Sequence, residues 1–224
     1  MNKRAQPVLN RDDPTKDPMV GNVKVTRTDW LNLARDVLVH EGVGELKILG
    51  LSQRMNVSRS SFYWYFENRP DLLNALLAEW ETRNTQTIVA NCALPADDIN
   101  AAVCNFFRCF VNDRSFDRGL DFAIRDWARR DAKVNRLIEQ ADRVRLAAVT
   151  AMFLRHGYAD SDADARARIL YFMQIGYHTL ELKETMEERM GRLAPFLKGF
   201  TGQDPSPDLI AEFTAFAMAQ DGDP

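Results

Sequence analysis

The residues best equipped for chemistry lie between Leu46 and Leu73, in the run LKILGLSQRMNVSRSSFYWYFENRPDLL. Arg59, Ser60, Ser61, Tyr63, Trp64 and Tyr65 cluster there without an acidic neighbour among them. Nearly all of them donate hydrogen bonds. With Phe62 set inward and a turn of about 100° per residue, Ser60 and Trp64 point farthest from the core. Arg59 and Tyr63 flank them on one side, Ser61 and Tyr65 on the other. Such a face suits phosphate oxygens and the base edges of a major groove, and the positive end of a helix dipole adds to it.

A face of this kind needs a rigid mount. The preceding residues predict a short helix with Leu49, Ser52 and Met55 inward, the small Ser52 allowing a second helix to cross closely. Asn56 stands at the turn, where a residue tolerant of the left-handed conformation is needed. Val57 anchors the exit, Ser58 suits an N-cap, and Phe62 and Phe66 form the buried stripe of the second helix. Ahead of this pair, Leu31, Ala34, Val37 and Leu38 recur at helical spacing, with Thr28 as the expected cap and Gly42 as the stop. Pro70 and Asp71 open a long helix through Leu72, Leu73, Leu76, Leu77 and Trp80, fading near Ala93 and Pro95. Periodic stretches follow at 97–113, 117–129 and 131–156, with Gly157 as a stop and Ser161 opening the next. Pro195, Gly199, Gly202, Pro205 and Pro207 then interrupt the chain before a last helix over 207–220. The reading is all-α with about nine helices. Strand-length alternation with hairpin dipeptides is missing.

The run NVSRSSFYWYFENRPDLL resembles the signature of TetR-family regulators: Val-Ser, a basic residue, two small residues, an apolar residue and Tyr, then Phe and a basic residue ahead of an acidic one. The resemblance covers about residues 26–80. Ser52 stands where alanine is usual, Asn56 where glycine is usual, Tyr65 where histidine is usual and Arg69 where lysine is usual. The resemblance implies that Thr28, Lys47, Arg59, Ser60, Ser61, Tyr63, Trp64, Tyr65 and Arg69 contact DNA, Arg69 by clamping a phosphate. It further implies a bacterial, cytoplasmic repressor that binds a palindromic double-stranded operator as a homodimer and is released by a small-molecule effector. The domain plan is then a flexible arm over 1–25, a helix-turn-helix head over 26–70 and an effector-binding and dimerisation body over 71–224. Trp80, Phe106, Phe110, Phe122, Trp127, Phe153 and Tyr171 are the expected pocket aromatics. Two apolar stripes over 163–187 predict a dimer helix, with Phe172, Met173, Gly176 and Leu180 at the interface and Phe213 and Phe216 of the last helix adding to it.

Charge agrees with this division. The chain carries a net charge of −3, yet residues 1–70 hold 11 Lys/Arg against 8 Asp/Glu, leaving 18 against 24 for the rest. Apolar residues make up 46% of the 224, enough for a sizeable core. Cys92, Cys104 and Cys109 are too few and too irregular for a disulfide framework or a zinc site. His40, His156 and His178 stand far apart, no GxSxG or HExxH occurs, and no metal, cofactor or catalysis is expected. Nor does any run of 18 apolar residues suggest a membrane span. The competing reading is a small all-helical enzyme or ligand carrier whose first helices only look like a DNA reader.

Overall fold

The computed structural model describes residues 25–111, 115–180 and 182–221, and among them it is helical with no strand. The expected all-α class is what it shows. The chain divides between Leu76 and Leu77 into two compact units, so the division falls inside the fourth helix, beyond the expected boundary at residue 70. The expected arm lies outside the described residues, apart from Val25.

The first unit holds α1 (Arg27–Glu41), a 3-10 turn (Val43–Glu45), α2 (Ile48–Arg54), α3 (Arg59–Phe62) and the start of α4 (Arg69–Trp80). The first helix is capped by Thr26, not by Thr28. The Thr26 hydroxyl accepts the Asp29 amide, and the Asp29 carboxylate takes the Thr26 amide at 2.8 Å, a reciprocal pair that Thr28 has no acidic partner to form. Hydrogen bonds from Thr26 hold the Asp29 carboxyl below its usual range. At the other end Gly42 takes a φ of 85°, which few side chains tolerate, and donates to the Leu38 and Val37 carbonyls. Trp30, Ala34, Val37 and Leu38 pack inward, the Trp30 ring meeting Phe62 edge-on at 5.3 Å.

In α2 the inward residues are Leu51 and Ser52, with Met55 half-buried. Leu49 is half exposed, contrary to expectation, because setting Leu51 inward turns Leu49 toward the other side. Asn68 caps α4 by accepting the Asp71 amide at 3.0 Å.

The second unit begins at Leu77, within the last turn of α4. A π turn (Glu81–Thr85) carries the helix on without a break into α5 (Gln86–Ala93). It continues with α6 (Ile99–Arg108), α7 (Arg118–Ala128), α8 (Ala132–Arg155), α9 (Asp160–Thr179), α10 (Met186–Met190), α11 (Leu193–Thr201) and α12 (Pro207–Asp221). Asp98, Asp117 and Asp131 cap α6, α7 and α8 with their carboxylates, which also favours the positive helix ends. The core gathers Ile88, Val103, Phe106, Val149, Phe153 and Leu170. Each such side chain contributes roughly 1.5–3 kcal/mol on burial.

Several elements depart from the sequence reading. The sixth helix ends at Arg108 and not at residue 113, and the ninth begins at Asp160 after Ala159 rather than at Ser161. The helix expected over 163–187 ends at Thr179 with α10 following it, and α11 occupies ground read as broken. Thr185 and Glu188 cap α10 reciprocally, and Pro195 falls in the first turn of α11, where its missing amide costs nothing. Gly202 is the real stop, at φ 75°. Among the described residues no helix is long and apolar enough to cross a membrane.

Candidate nucleic-acid interface

The turn between α2 and α3 follows from one residue. Asn56 takes a φ of 55°, and its amide bonds the Gln53 carbonyl while the Val57 amide reaches back to Ser52. These two bonds close α2 with a left-handed cap usually built on glycine. Asparagine is the side chain that accepts this conformation at least cost. The chain then leaves at the angle that sets Phe62 and Phe66 into the core, their rings stacked at 5.3 Å.

The helix α3 ends at Phe62, and Tyr63, Trp64 and Tyr65 follow in a turn, with the Tyr65 and Phe66 amides both donating to the Phe62 carbonyl. Trp64 is 84% exposed and Tyr63 58%, and both Arg59 and Ser60 are exposed beside them. Ser61 is half-buried. Tyr65 departs from the expected outer face: its hydroxyl donates to the Val25 carbonyl at 2.6 Å, which ties the start of α1 to the reading element. Since the chain leaves the helix after Phe62, the steady rotation that put Tyr65 outward no longer applies. Ser58 caps no amide with its side chain and instead pairs with the Ser60 hydroxyl at 2.7 Å.

Thr28 is exposed in the first turn of α1, and exposed Lys47 precedes α2 with Glu45 at 3.1 Å. Arg69 does something other than reach outward. Its Nε donates to the Leu46 carbonyl and its Nη2 to the Val43 carbonyl, both at 2.6 Å, so it braces the 3-10 turn between α1 and α2. The sequence reading passed over Arg27, an exposed cation whose guanidinium lies 5.0 Å over the Phe66 ring. Its place at the first position of α1, one residue from Thr28, was the available signal. Arg54 is held by Glu41 through a two-pronged pair, 2.7 Å on one arm.

The second unit hides a different chemistry. Arg145, fully buried in α8, donates from Nε to Thr85 Oγ1 and from Nη1 to Asp121 Oδ1, both at 3.0 Å. Asp121 also accepts Trp80 Nε1 at 2.7 Å and Arg125 Nε at 2.9 Å. Arg125 grips Asp142 with both terminal nitrogens, and the Tyr171 hydroxyl donates to Asp142 at 2.6 Å. Burial alone would raise the Asp121 pKa, but the attraction of Arg145 and Arg125 overrides it and holds the carboxyl well below its usual range. Burial pushes the Tyr171 hydroxyl upward. None of the four charged members figured in the sequence reading. Arg145 was visible in principle, because it occupies an inward position on the stripe Ile138, Ala141, Val149, Met152.

Of the aromatics expected around a pocket, Trp80, Phe106, Phe110, Trp127, Phe153 and Tyr171 are buried core, and Phe122 is half exposed at the surface. Among the described residues a cavity of about 470 Å³ lies between Pro95, Asp98, Arg108, Leu209 and Glu212, and a smaller one of about 50 Å³ is lined instead by Phe107, Met173, Gln174, Tyr177, Met190 and Phe196 among others. Phe213 also lines it and is buried within its own chain, which removes it from the expected dimer contact. Phe172 and Leu180 are 54% and 69% exposed, Gly176 and Phe216 are half-buried, and Met173 is shared with the cavity. Burial pushes the Cys92 and Cys104 thiols up to about 12 and raises Cys109 as well, so all three stay protonated. Among the described residues no three His, Cys, Asp or Glu side chains stand together as metal ligands would.

Residues 31–76 match the model of the bacterial regulatory proteins of the tetR family. No curated protein matches the chain significantly. Among solved structures, GusR of Salmonella enterica has a TM-score of 0.54 at 14% identity, covering 87% of this chain and 94% of its own, and shares the fold. BioQ, solved with its double-stranded DNA operator, has a TM-score of 0.44 at 19% identity, covering 80% of this chain and 99% of its own. A possible TetR family transcriptional regulator from Streptomyces coelicolor A3(2) has a TM-score of 0.39 at 18% identity, over 87% and 96%.

Proposed function

We propose that this chain, whose head is that of a tetR-family transcriptional regulator, is a cytoplasmic repressor that binds a palindromic operator as a homodimer and leaves it when a small molecule fills the body. One observation carries the reading: the helix-turn-helix directs Arg59, Ser60, Tyr63 and Trp64 outward, with Trp64 84% exposed. A bare tryptophan at the surface is a cost to an isolated protein, and beside hydroxyl and guanidinium donors it fits a groove that offers apolar methyl edges and acceptors together.

The dimer reading is supported by α9, which shows solvent an apolar row of Ile169, Phe172 and Leu180 with Gly176 between them. At Gly176 an added Cβ would meet nothing within 4 Å, so a partner helix has room to approach. Two heads read two half-sites only when their spacing matches the DNA repeat of about 34 Å. An effector that favours a mismatched form lowers DNA affinity, and linkage then requires DNA to lower effector affinity by the same factor.

The test is selection of bound duplexes from a randomised pool, followed by titration of the winning sequence over a range of salt. A palindromic consensus, bound with an affinity that falls steeply as salt rises, is the expected result. A protein that retains no duplex at low salt would overturn the reading and leave a helical ligand carrier in its place.

A further inference from the structure

Every nitrogen of the buried ionic cluster has an acceptor except one. Arg145 Nη2 is buried and makes no hydrogen bond. Arg125 uses all three of its nitrogens, on Asp121, Asp142 and the Tyr171 hydroxyl. Asp121 is already shared by Arg145, Arg125 and Trp80. Two N–H groups of a permanent cation are thus left in the interior without a protein acceptor, an arrangement that proteins rarely keep without a reason.

The setting is shaped as well as charged. The guanidinium lies 5.0 Å from the Trp80 ring and 5.7 Å from Phe116, held by aromatic faces that fix its plane. Two of its neighbours, Trp80 and Thr85, bracket the π turn Glu81–Thr85, a distortion that occurs mostly at functional positions. Inside that turn Asn84 pins the Asp117 backbone from both sides, donating to its carbonyl at 2.9 Å and accepting its amide at 3.0 Å. The irregular turn is therefore a built feature. Arg145 does not itself line the 50 Å³ cavity, and Phe116 and His178 stand between its guanidinium and the nearest lining residue. Phe116 lies against the His178 ring at 5.4 Å, His178 Nε2 is 2.8 Å from Gln174 Nε2, and Gln174 lines the 50 Å³ cavity. The cavity holds a water or two as it stands, but its Met173 and Met190 walls remould easily.

We infer that Arg145 Nη2 receives the acceptor oxygen of the effector, which is a small apolar molecule ending in a carboxylate. The acid end meets the guanidinium between Trp80 and Phe116, and the apolar part extends past His178 into the methionine-lined cavity. This rests on the proposed regulatory reading only in calling the ligand an effector. A carboxylate suits the position better than a neutral oxygen because charge-assisted hydrogen bonds to a fixed guanidinium are the stronger kind, and the planar fork matches two oxygens.

The experiment is calorimetric titration of the full chain with octanoate and phenylacetate, each beside its amide and its alcohol, with and without selected operator DNA. The expected result is acid above amide above alcohol, with at least one acid bound. Arg145→Lys, which keeps the charge and loses the fork, weakens that acid at least tenfold and leaves the alcohol unchanged. Equal affinity for acid, amide and alcohol on the wild type overturns the inference without recourse to any variant, as does a panel in which nothing binds. An acid held equally with and without DNA sustains the Arg145 site and overturns induction. DNA bound tightly by a protein that takes up no acid sinks the Arg145 site and spares the DNA reading.

Discussion

The head and the body place their charges differently. The head keeps apolar residues inside and sets its donors outside: Phe62 and Phe66 are buried, while Arg59, Ser60, Tyr63 and Trp64 face solvent. The body has an apolar core as well, but it also buries charge in Arg145 and Asp121 and exposes an apolar row, Ile169, Phe172 and Leu180. Burying hydrocarbon and exposing charge is what folding alone favours, so each departure from it, the exposed Trp64 in the head and the buried charges and exposed apolar row in the body, carries information. Outward donors beside a bare tryptophan are what the proposed DNA contact requires, the outward apolar row is what the proposed dimer requires, and the inward cation is already paired with Asp121.

The largest way to break the comparison is to remove the charge that balances the body. Asp121→Asn keeps the shape and leaves Arg145 buried with no anion, and it lowers the stability of the body by about 3–5 kcal/mol, read from denaturant unfolding. The pH dependence has a definite sign. Because the folded Asp121 pKa is depressed, its contribution is complete above the unfolded value of about 4 and is lost as pH falls below that toward the folded one. Wild-type stability therefore declines through the acid range below about pH 4 more steeply than that of the variant. Parallel acid profiles would mean that the buried pair is neutral to begin with.

A smaller effect tests whether Arg69 belongs to the inside of the head or to its outside. Two charge-assisted bonds to backbone carbonyls make it a brace, and Arg69→Ala costs the head about 2 kcal/mol, seen as faster amide exchange around Val43 and Leu46. Arg69→Lys does not rescue it, since a single ammonium cannot span both carbonyls. An unchanged exchange pattern with a shallower salt dependence of DNA binding would return Arg69 to the role of phosphate clamp.

How far each region was legible follows from the same contrast. The head is local: Asn56 at the turn, Phe62 and Phe66 four apart and Gly42 at the stop are neighbours in sequence, so their spacing already contains the geometry. Where it misled, the cause was an irregularity, as with Tyr65, which leaves the helix with the chain and finds the Val25 carbonyl. The body's site is assembled from Trp80, Thr85, Asp121, Arg125, Asp142, Arg145 and Tyr171, spread over five stretches of helix. Periodicity shows that Arg145 lies on an apolar stripe, but nothing in a single sequence says which aspartate meets it. The short helix α11 was hidden because Pro195 and Gly199 read as breakers when their position within a helix is unknown.

The smallest expected effect on folding is also the sharpest test of the outward face. Trp64 is 84% exposed and is stacked on none of the described rings, so Trp64→Ala should change the stability of the head by less than about 0.5 kcal/mol. If the ring fills a major groove, the same change lowers affinity for the selected operator about tenfold, or about 1.4 kcal/mol, and narrows the gap between that operator and random DNA. The salt dependence stays as it was, because an indole neutralises no phosphate. These three readings separate the alternatives cleanly. A loss of stability would place Trp64 in the core, a loss of affinity equal on all sequences would make it a general contact, and no loss at all would leave the exposed ring without a DNA partner and shift the burden of recognition to Arg59 and Tyr63.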